Sequence, residues 1–162
     1  MASEENKILQ GILKPLLKEA GYKKKGATWH HSSEHFIRVL NIQGSQWSSS
    51  FYLNLGIYIR GLGEDLTPTE YKCHVRERLD GIAPNRTEAS DLFDFTKSVE
   101  ASDREEKIKV LISTFVLPWL EGKSSIDGLR SYLTKEKKHG LPVRKDVWQY
   151  LDINQPGANQ SR

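Results

Sequence analysis

Residues 51 to 59, FYLNLGIYI, constrain this chain more than any other stretch. Phe51, Leu53, Leu55, Ile57 and Ile59 hold every second position, and Tyr52, Asn54, Gly56, Tyr58 and Arg60 fill the places between and after. Successive side chains of an extended strand point to opposite faces, so this alternation defines one apolar face and one aromatic, polar face. The chain must build a sheet with a buried side, and other apolar elements must cover that side.

Two neighbouring stretches have the same character. ATWHH (27–31) and HFIRVLNIQ (35–43) are rich in branched and aromatic residues, with SSE and GSQWSSS as turn material between the runs. Connections this short imply antiparallel hairpins. A further strand is predicted at DLFDFTK (91–97). Helical periodicity brackets the sheet. Ile8, Leu9, Ile12, Leu13, Leu16 and Leu17 share one face of a helix over about 3–20, with Pro15 placed to kink it and Gly21 to cap it. From about Asp103 the period is helical again, with Ser102 and Glu105 as a capping box and Ile108, Leu111, Ile112, Phe115, Val116, Trp119 and Leu120 in a wide stripe. Ser124 or Ser125 starts another helix, ended by Gly140 and Pro142, and a short one is predicted over 144–150. The expected fold is α+β: an N-terminal helix, an antiparallel meander of four to five strands, and two to three C-terminal helices packed on one sheet face. Residues 1–153 form a single domain and 154–162 a flexible tail.

Composition narrows the function classes. A chain of 162 residues with 37% hydrophobic and 28% charged residues is an ordinary globular mixture. The net charge of +3 is too small to mark a nucleic-acid binder, and Lys23–Lys25 reads as cations complementing the C-terminus of the first helix. Cys73 is the single cysteine, which excludes an intrachain disulfide and fits a reducing compartment. The start MASEENK lacks the basic-then-apolar pattern of a signal peptide, and IKVLISTFVLPWL (108–120) is too short to cross a bilayer. The expected location is cytoplasmic, with no membrane partner.

The stretch YKCHVRERL (71–79) gathers Cys73, His74, Arg76 and Arg78. Local signals favour a helix: Thr67 can cap, Pro68 suits the first position, Glu70 completes the box, and Tyr71, Val75, Leu79 and Ile82 share a helical face. A strand is the alternative. It would put His74, Arg76 and Arg78 on one face and Tyr71, Cys73, Val75 and Leu79 on the other, toward the core. In neither conformation do Cys73 and His74 face each other, so they do not form a nucleophilic dyad.

The segments LKPLLKEAGYKKKGATWH (13–30), NIQGSQW (41–47), YLNLGIYI (52–59), CHVRERLDGIAP (73–84) and VLPWLEGKSSIDGLRSYL (116–133) together resemble bacterial domain-of-unknown-function family 4304. The resemblance implies one α+β domain and supplies no activity. It also implies a strand after one helical turn near 68–71. The chain departs from the family's alternation at Glu77, where an apolar residue is expected, which points to an edge, a bulge or an early strand end.

On that strand reading the candidate binding surface is the polar, aromatic sheet face: His74, Arg76, Arg78, Asn54, Gln43, Asn41, Tyr52 and Tyr58, with Trp47 in the adjoining turn. Guanidiniums among Asn and Tyr groups suit a carboxylate, a phosphate or an acidic protein. His30, His31 and His35 lack the further ligands of a metal site, and no cofactor or catalytic set is read. Phosphate-loop, zinc-protease and serine-elbow motifs are absent from the sequence. Three functions follow in order of preference. The first is a non-enzymatic binding or interaction module, of which immunity proteins are one example. The second is an enzyme acting on a small anion with His74 as acid or base and Arg76 and Arg78 as clamps. The third is a weak nucleic-acid binder using Lys23–Lys25, the arginine strand and exposed Trp47 or Tyr side chains.

Overall fold

The computed structural model describes residues 3–136 and 143–153. The helix end expected at Gly140 and Pro142 and the tail expected at 154–162 lie outside the described residues. Helix α1 (Glu4–Glu19) starts at Ser3, whose side chain accepts from the Asn6 amide, and continues through Pro15. It buries Leu9, Ile12, Leu13 and Leu17, while Ile8 is half exposed. The helix ends in a Schellman motif: Gly21 sits at φ +89°, its amide donates to Lys18, and the Tyr22 amide donates to Leu17.

Among the described residues, five strands form one antiparallel sheet in the order of the chain: β1 (Lys23–Lys25), β2 (Thr28–Ser32), β3 (Phe36–Gly44), β4 (Phe51–Ile59) and β5 (Val75–Arg78). The fifth strand is thus Lys23–Lys25 rather than 91–97. Residues Arg86–Leu92 form helix α3, capped by Asn85, because that cap and the next turn outcompete a weak alternation. The segment meets the sheet only at its margin: Asp94 bridges to Ser50, and the Phe93 carbonyl accepts the Phe51 amide at the start of β4. The lysines that seemed to complement the end of α1 are the outermost rung of the sheet instead.

Arg104 fixes the loop after α3. Its side chain is buried, donates to the carbonyls of Leu92, Asp94 and Lys97, and lies 4.3 Å from the ring centre of Phe95. A short helix α2 (Leu79–Ile82) follows β5 directly. Helix α4 (Ala101–Leu111) begins two residues before the predicted start, with Glu100 at the N-cap and the Ser102 hydroxyl bonded to the Glu100 carboxylate. It runs through a wide turn at Ile112–Val116 into α5 (Leu117–Lys123). Pro118 has no amide proton to give Thr114, so the register slips by one and the Leu117 amide donates to Ile112. Helix α6 (Ile126–Ser131) is capped by Ser125, and α7 (Lys145–Tyr150) follows Arg144.

The apolar sheet face carries Trp29, Leu40, Leu53, Leu55, Ile57 and Val75, all buried beneath α1 and the α4–α5 rod. Ile108, Ile112, Val116 and Leu120 recur every fourth residue along that rod and are fully buried. Burying each such side chain stabilises the fold by roughly 1.5–3 kcal/mol.

Candidate functional site

Segment 70–78 takes the strand form after a single turn. Glu70–Lys72 is one turn of tight helix and β5 begins at Val75. The local helix signals stop there because β5 gains the edge of β4 from Asn54 to Ile57, pairing Val75 with Ile57 and Arg78 with Asn54.

Cross-strand rows organise the second sheet face. One row runs Lys25–Thr28–Asn41–Asn54–Arg78 over all five strands. Its side chains are linked. The Asn41 amide donates to Thr28 Oγ1 at 3.0 Å, the Asn54 amide to Asn41 Oδ1 at 3.4 Å and to Gln43 Oε1 at 2.9 Å, and Arg78 Nε to Asn54 Oδ1 at 3.3 Å. The Arg78 guanidinium lies 4.2 Å from the ring centre of Tyr52, which fixes the cation in place. This ladder spans about 19 Å, four strand spacings, with a cation at each end. Beyond Gln43 the β3–β4 loop carries Trp47, 91% exposed.

The next row, Lys23–His30–Val39–Gly56–Arg76, is covered rather than open. Residues 60–73 cross over it as a strap. His30 Nε2 is 2.7 Å from the Pro68 carbonyl, and Arg76 makes a bidentate pair with buried Glu70 at 2.9 and 3.1 Å. Cys73 lies directly over Gly56, where a β-carbon would come within 2.5 Å of the sulfur. The third row brings Ile37 and Tyr58 together, continued by His74, whose amide donates to Ile57.

The single polar surface expected from alternation is therefore split in two. Asn41, Gln43, Tyr52 and Arg78 stand together on the open half, around an Asn54 that is only 4% exposed. Arg76 is held by Glu70, Tyr58 packs with Ile37, Val39 and Cys73, and His74 is 3% exposed. Cys73 is buried as expected but on the opposite face from Val75, because the chain enters β5 from the strap and strict alternation starts only at residue 74. Tyr71, expected toward the core, is exposed on the same turn.

The electrostatics follow from this cover. Burial and then the Glu70 carboxylate push the Cys73 thiol far above its usual range, so it is a poor nucleophile. The hydrogen bonds that Arg76 donates to Glu70 raise the arginine further. His74 is held below the ordinary histidine value, by burial first and by Arg144 second. His74 Nδ1 accepts the Ile59 amide at 2.9 Å and its ring stacks on Tyr58 at 4.6 Å. His74 also lines a cavity of about 350 Å³ with Lys72 and Arg144. Neither Arg76 nor Arg78 lines it, so the clamp imagined from sequence is not assembled. Another concavity of about 390 Å³ opens between α3 and α4, floored by Ala89, Leu92, Val110 and Phe115, away from the ladder.

Sequence reasoning missed Lys25 and Thr28, which the register places in the ladder, and Lys72 and Arg144, which tertiary packing brings to His74. The signal for the first two was available in Lys25-Gly26-Ala27-Thr28, a tight hairpin with Gly26 at φ +64°. No helix among the described residues is long and apolar enough to cross a membrane.

No curated protein and no solved structure matches this chain. The family model described as a domain of unknown function, DUF4304, matches residues 13–122, more than half of the 162 residues, and the chain belongs to that family.

Proposed function

We propose that this domain is a non-enzymatic interaction module of the cytoplasm that binds an acidic protein partner through the Lys25–Arg78 ladder and the Trp47 loop. The observation that carries the reading is the hydrogen-bonded row from Thr28 to Arg78, held through the buried Asn54 and bordered by the exposed side chains of Gln43, Tyr52 and Arg78. Trp, Tyr and Arg are the side chains that most often dominate protein interfaces; Arg78 lies against Tyr52 at one end of this row, and Trp47 stands in the β3–β4 loop beyond Gln43. Lys25 at the other end and Lys23 beside it give the surface a positive edge suited to carboxylates. The cytoplasmic assignment rests on the lone, buried Cys73. Blocking another protein by direct contact, as immunity proteins do, is one role such a surface serves.

The test is photo-crosslinking in the native host from a probe residue at Gln43, with a second probe on α1 at Lys14 as the opposite-side control. A discrete product from Gln43 that is absent from Lys14 and lost in the combined Trp47→Ala, Tyr52→Ala, Arg78→Ala variant supports the reading. Equal products from both probes, or a product indifferent to the triple variant, would falsify it.

A further inference from the structure

A separate constellation sits about 13 Å from Arg78, four residues back along β5. Here the cavity of about 350 Å³ opens between the strap and the N-terminus of α7, lined by Tyr58, Leu62, Tyr71, Lys72, His74 and Arg144. Its size is that of a small-molecule site. Because His74 Nδ1 accepts the Ile59 amide, the neutral ring carries its proton on Nε2. Among the described residues no side chain or carbonyl accepts from that nitrogen, although His74 is almost completely buried. A ring N–H at a cavity wall is a donor available to a ligand, and the Ile59 bond together with the tilted contact on Tyr58 fixes its direction.

Two cations share the wall. Arg144 bonds Asp146 through Nε and Nη2, which leaves the Nη1 donors of its fork unused by that pair. Among the described residues Lys72 has only a loose ion pair, 4.0 Å from Asp65. Asp65 and Asp146 are the carboxylates that accompany these cations. Arg144 nevertheless outweighs Asp146 at the imidazole, since its effect on the ring is the larger of the two.

We propose that this cavity binds a small oxyanion, a carboxylate or phosphate head group, through His74 Nε2–H, the Arg144 guanidinium and the Lys72 ammonium. Donor type and charge both match. A hydrogen-bond donor, a fork and a point charge surround one space, and Tyr71 and Leu62 supply apolar wall for the body of a ligand. The site shares no residue with the ladder.

The experiment titrates the full chain with sodium phosphate and, separately, sodium acetate at constant ionic strength, following the imidazole resonances of His74 by NMR. A saturable shift with either anion is expected. Arg144→Gln should weaken it by about tenfold, the value of one charge-assisted hydrogen bond. His74→Asn keeps an acceptor for the Ile59 amide but removes the Nε2 donor, and it should abolish binding, read on the Tyr58 ring resonances. Arg78→Gln should change nothing. No saturable shift with either anion, or affinity unaltered in Arg144→Gln and in Lys72→Gln, overturns the proposal. The last two variants alter partly exposed side chains and decide the matter even where His74→Asn does not fold. Failure here leaves the ladder reading untouched, and failure of the crosslinking test leaves this one.

Discussion

The Tyr132 hydroxyl donates to Glu77 Oε2 at 2.9 Å, joining the turn after α6 to the edge strand β5 across 55 residues. Glu77 stands opposite Leu55, on the face that the helices cover. Its other oxygen accepts the Arg78 amide at 3.1 Å. A carboxylate thus occupies a position where the resemblance implied an apolar residue, and Tyr132 is what makes it tolerable. Tyr132→Phe should destabilise the fold by about 1–3 kcal/mol, the penalty for a carboxylate that loses its donor. Adding Glu77→Leu should recover most of that loss. Urea unfolding of the two single variants and the double variant measures the coupling, and a purely additive cycle would show that the bond contributes nothing.

Arg104 is a second long-range tie. Its guanidinium serves three backbone carbonyls and the Phe95 ring without a side-chain carboxylate among its hydrogen bonds. Arg104→Ala should lower stability by about 3 kcal/mol. Arg104→Lys should restore little, since an ammonium cannot reproduce the planar fork. Chemical denaturation of both variants distinguishes the fork from the charge.

Gly56 permits the strap to lie flat. A methyl group there would meet the Cys73 sulfur at 2.5 Å and its β-carbon at 2.7 Å. Gly56→Ala should lift residues 60–73 and expose the thiol, so that Cys73 reacts with a thiol reagent at least about tenfold faster, as local opening becomes easier by roughly 1.4 kcal/mol. Unchanged labelling kinetics would mean that the strap shifts sideways without opening.

Acid should weaken the fold through its histidines. His74 and His31 are both held below the ordinary value of 6.5, each by burial first and by a neighbouring arginine second, Arg144 and Arg38 respectively. A histidine with a depressed folded value binds its proton more readily when unfolded. Its stabilising effect is therefore present above the unfolded value and is lost as pH falls below about 6.5 toward the folded one. The melting temperature should drop between pH 7 and pH 5, and His74→Asn should flatten that slope. At the alkaline end Tyr22, pushed up to about 12 chiefly by burial, reverses the sign: its contribution fades as pH rises from 10 toward 12.

What the sequence revealed depended on how local the cause was. The alternation in 51–59 is a property of one strand, and β4 appears with the predicted faces. The apolar stripe from Ile108 to Leu120 likewise survives as the buried side of the rod, even with a register slip at Pro118. The misassigned elements are those whose local signal was weak or contradicted by pairing. Lys23–Lys25 has no apolar residue to announce a strand, and only its hairpin with β2 makes it one. Residues 91–97 look extended, but the backbone there is gathered around Arg104, whose role no spacing rule discloses. The candidate face was half legible. Asn41, Gln43, Tyr52 and Asn54 follow from alternation alone and Arg78 from the strand that the resemblance implied, whereas the cover over Arg76 and His74 depends on a fourteen-residue connection lacking a periodic pattern of its own.

The chain-order topology leaves β1 and β5 as the two borders of the sheet, and each border is guarded against fusion with another molecule. Along β1 every residue is an exposed lysine, so a second copy approaching edge to edge would bring like charges into register. Along β5 the four-residue strand carries Arg76, Glu77 and Arg78 and turns at once into α2, which leaves too short a template for an added strand. Replacing Lys23–Lys25 with threonines would keep the strand propensity and remove that electrical fence, turning a well-behaved border into a nucleus for aggregation.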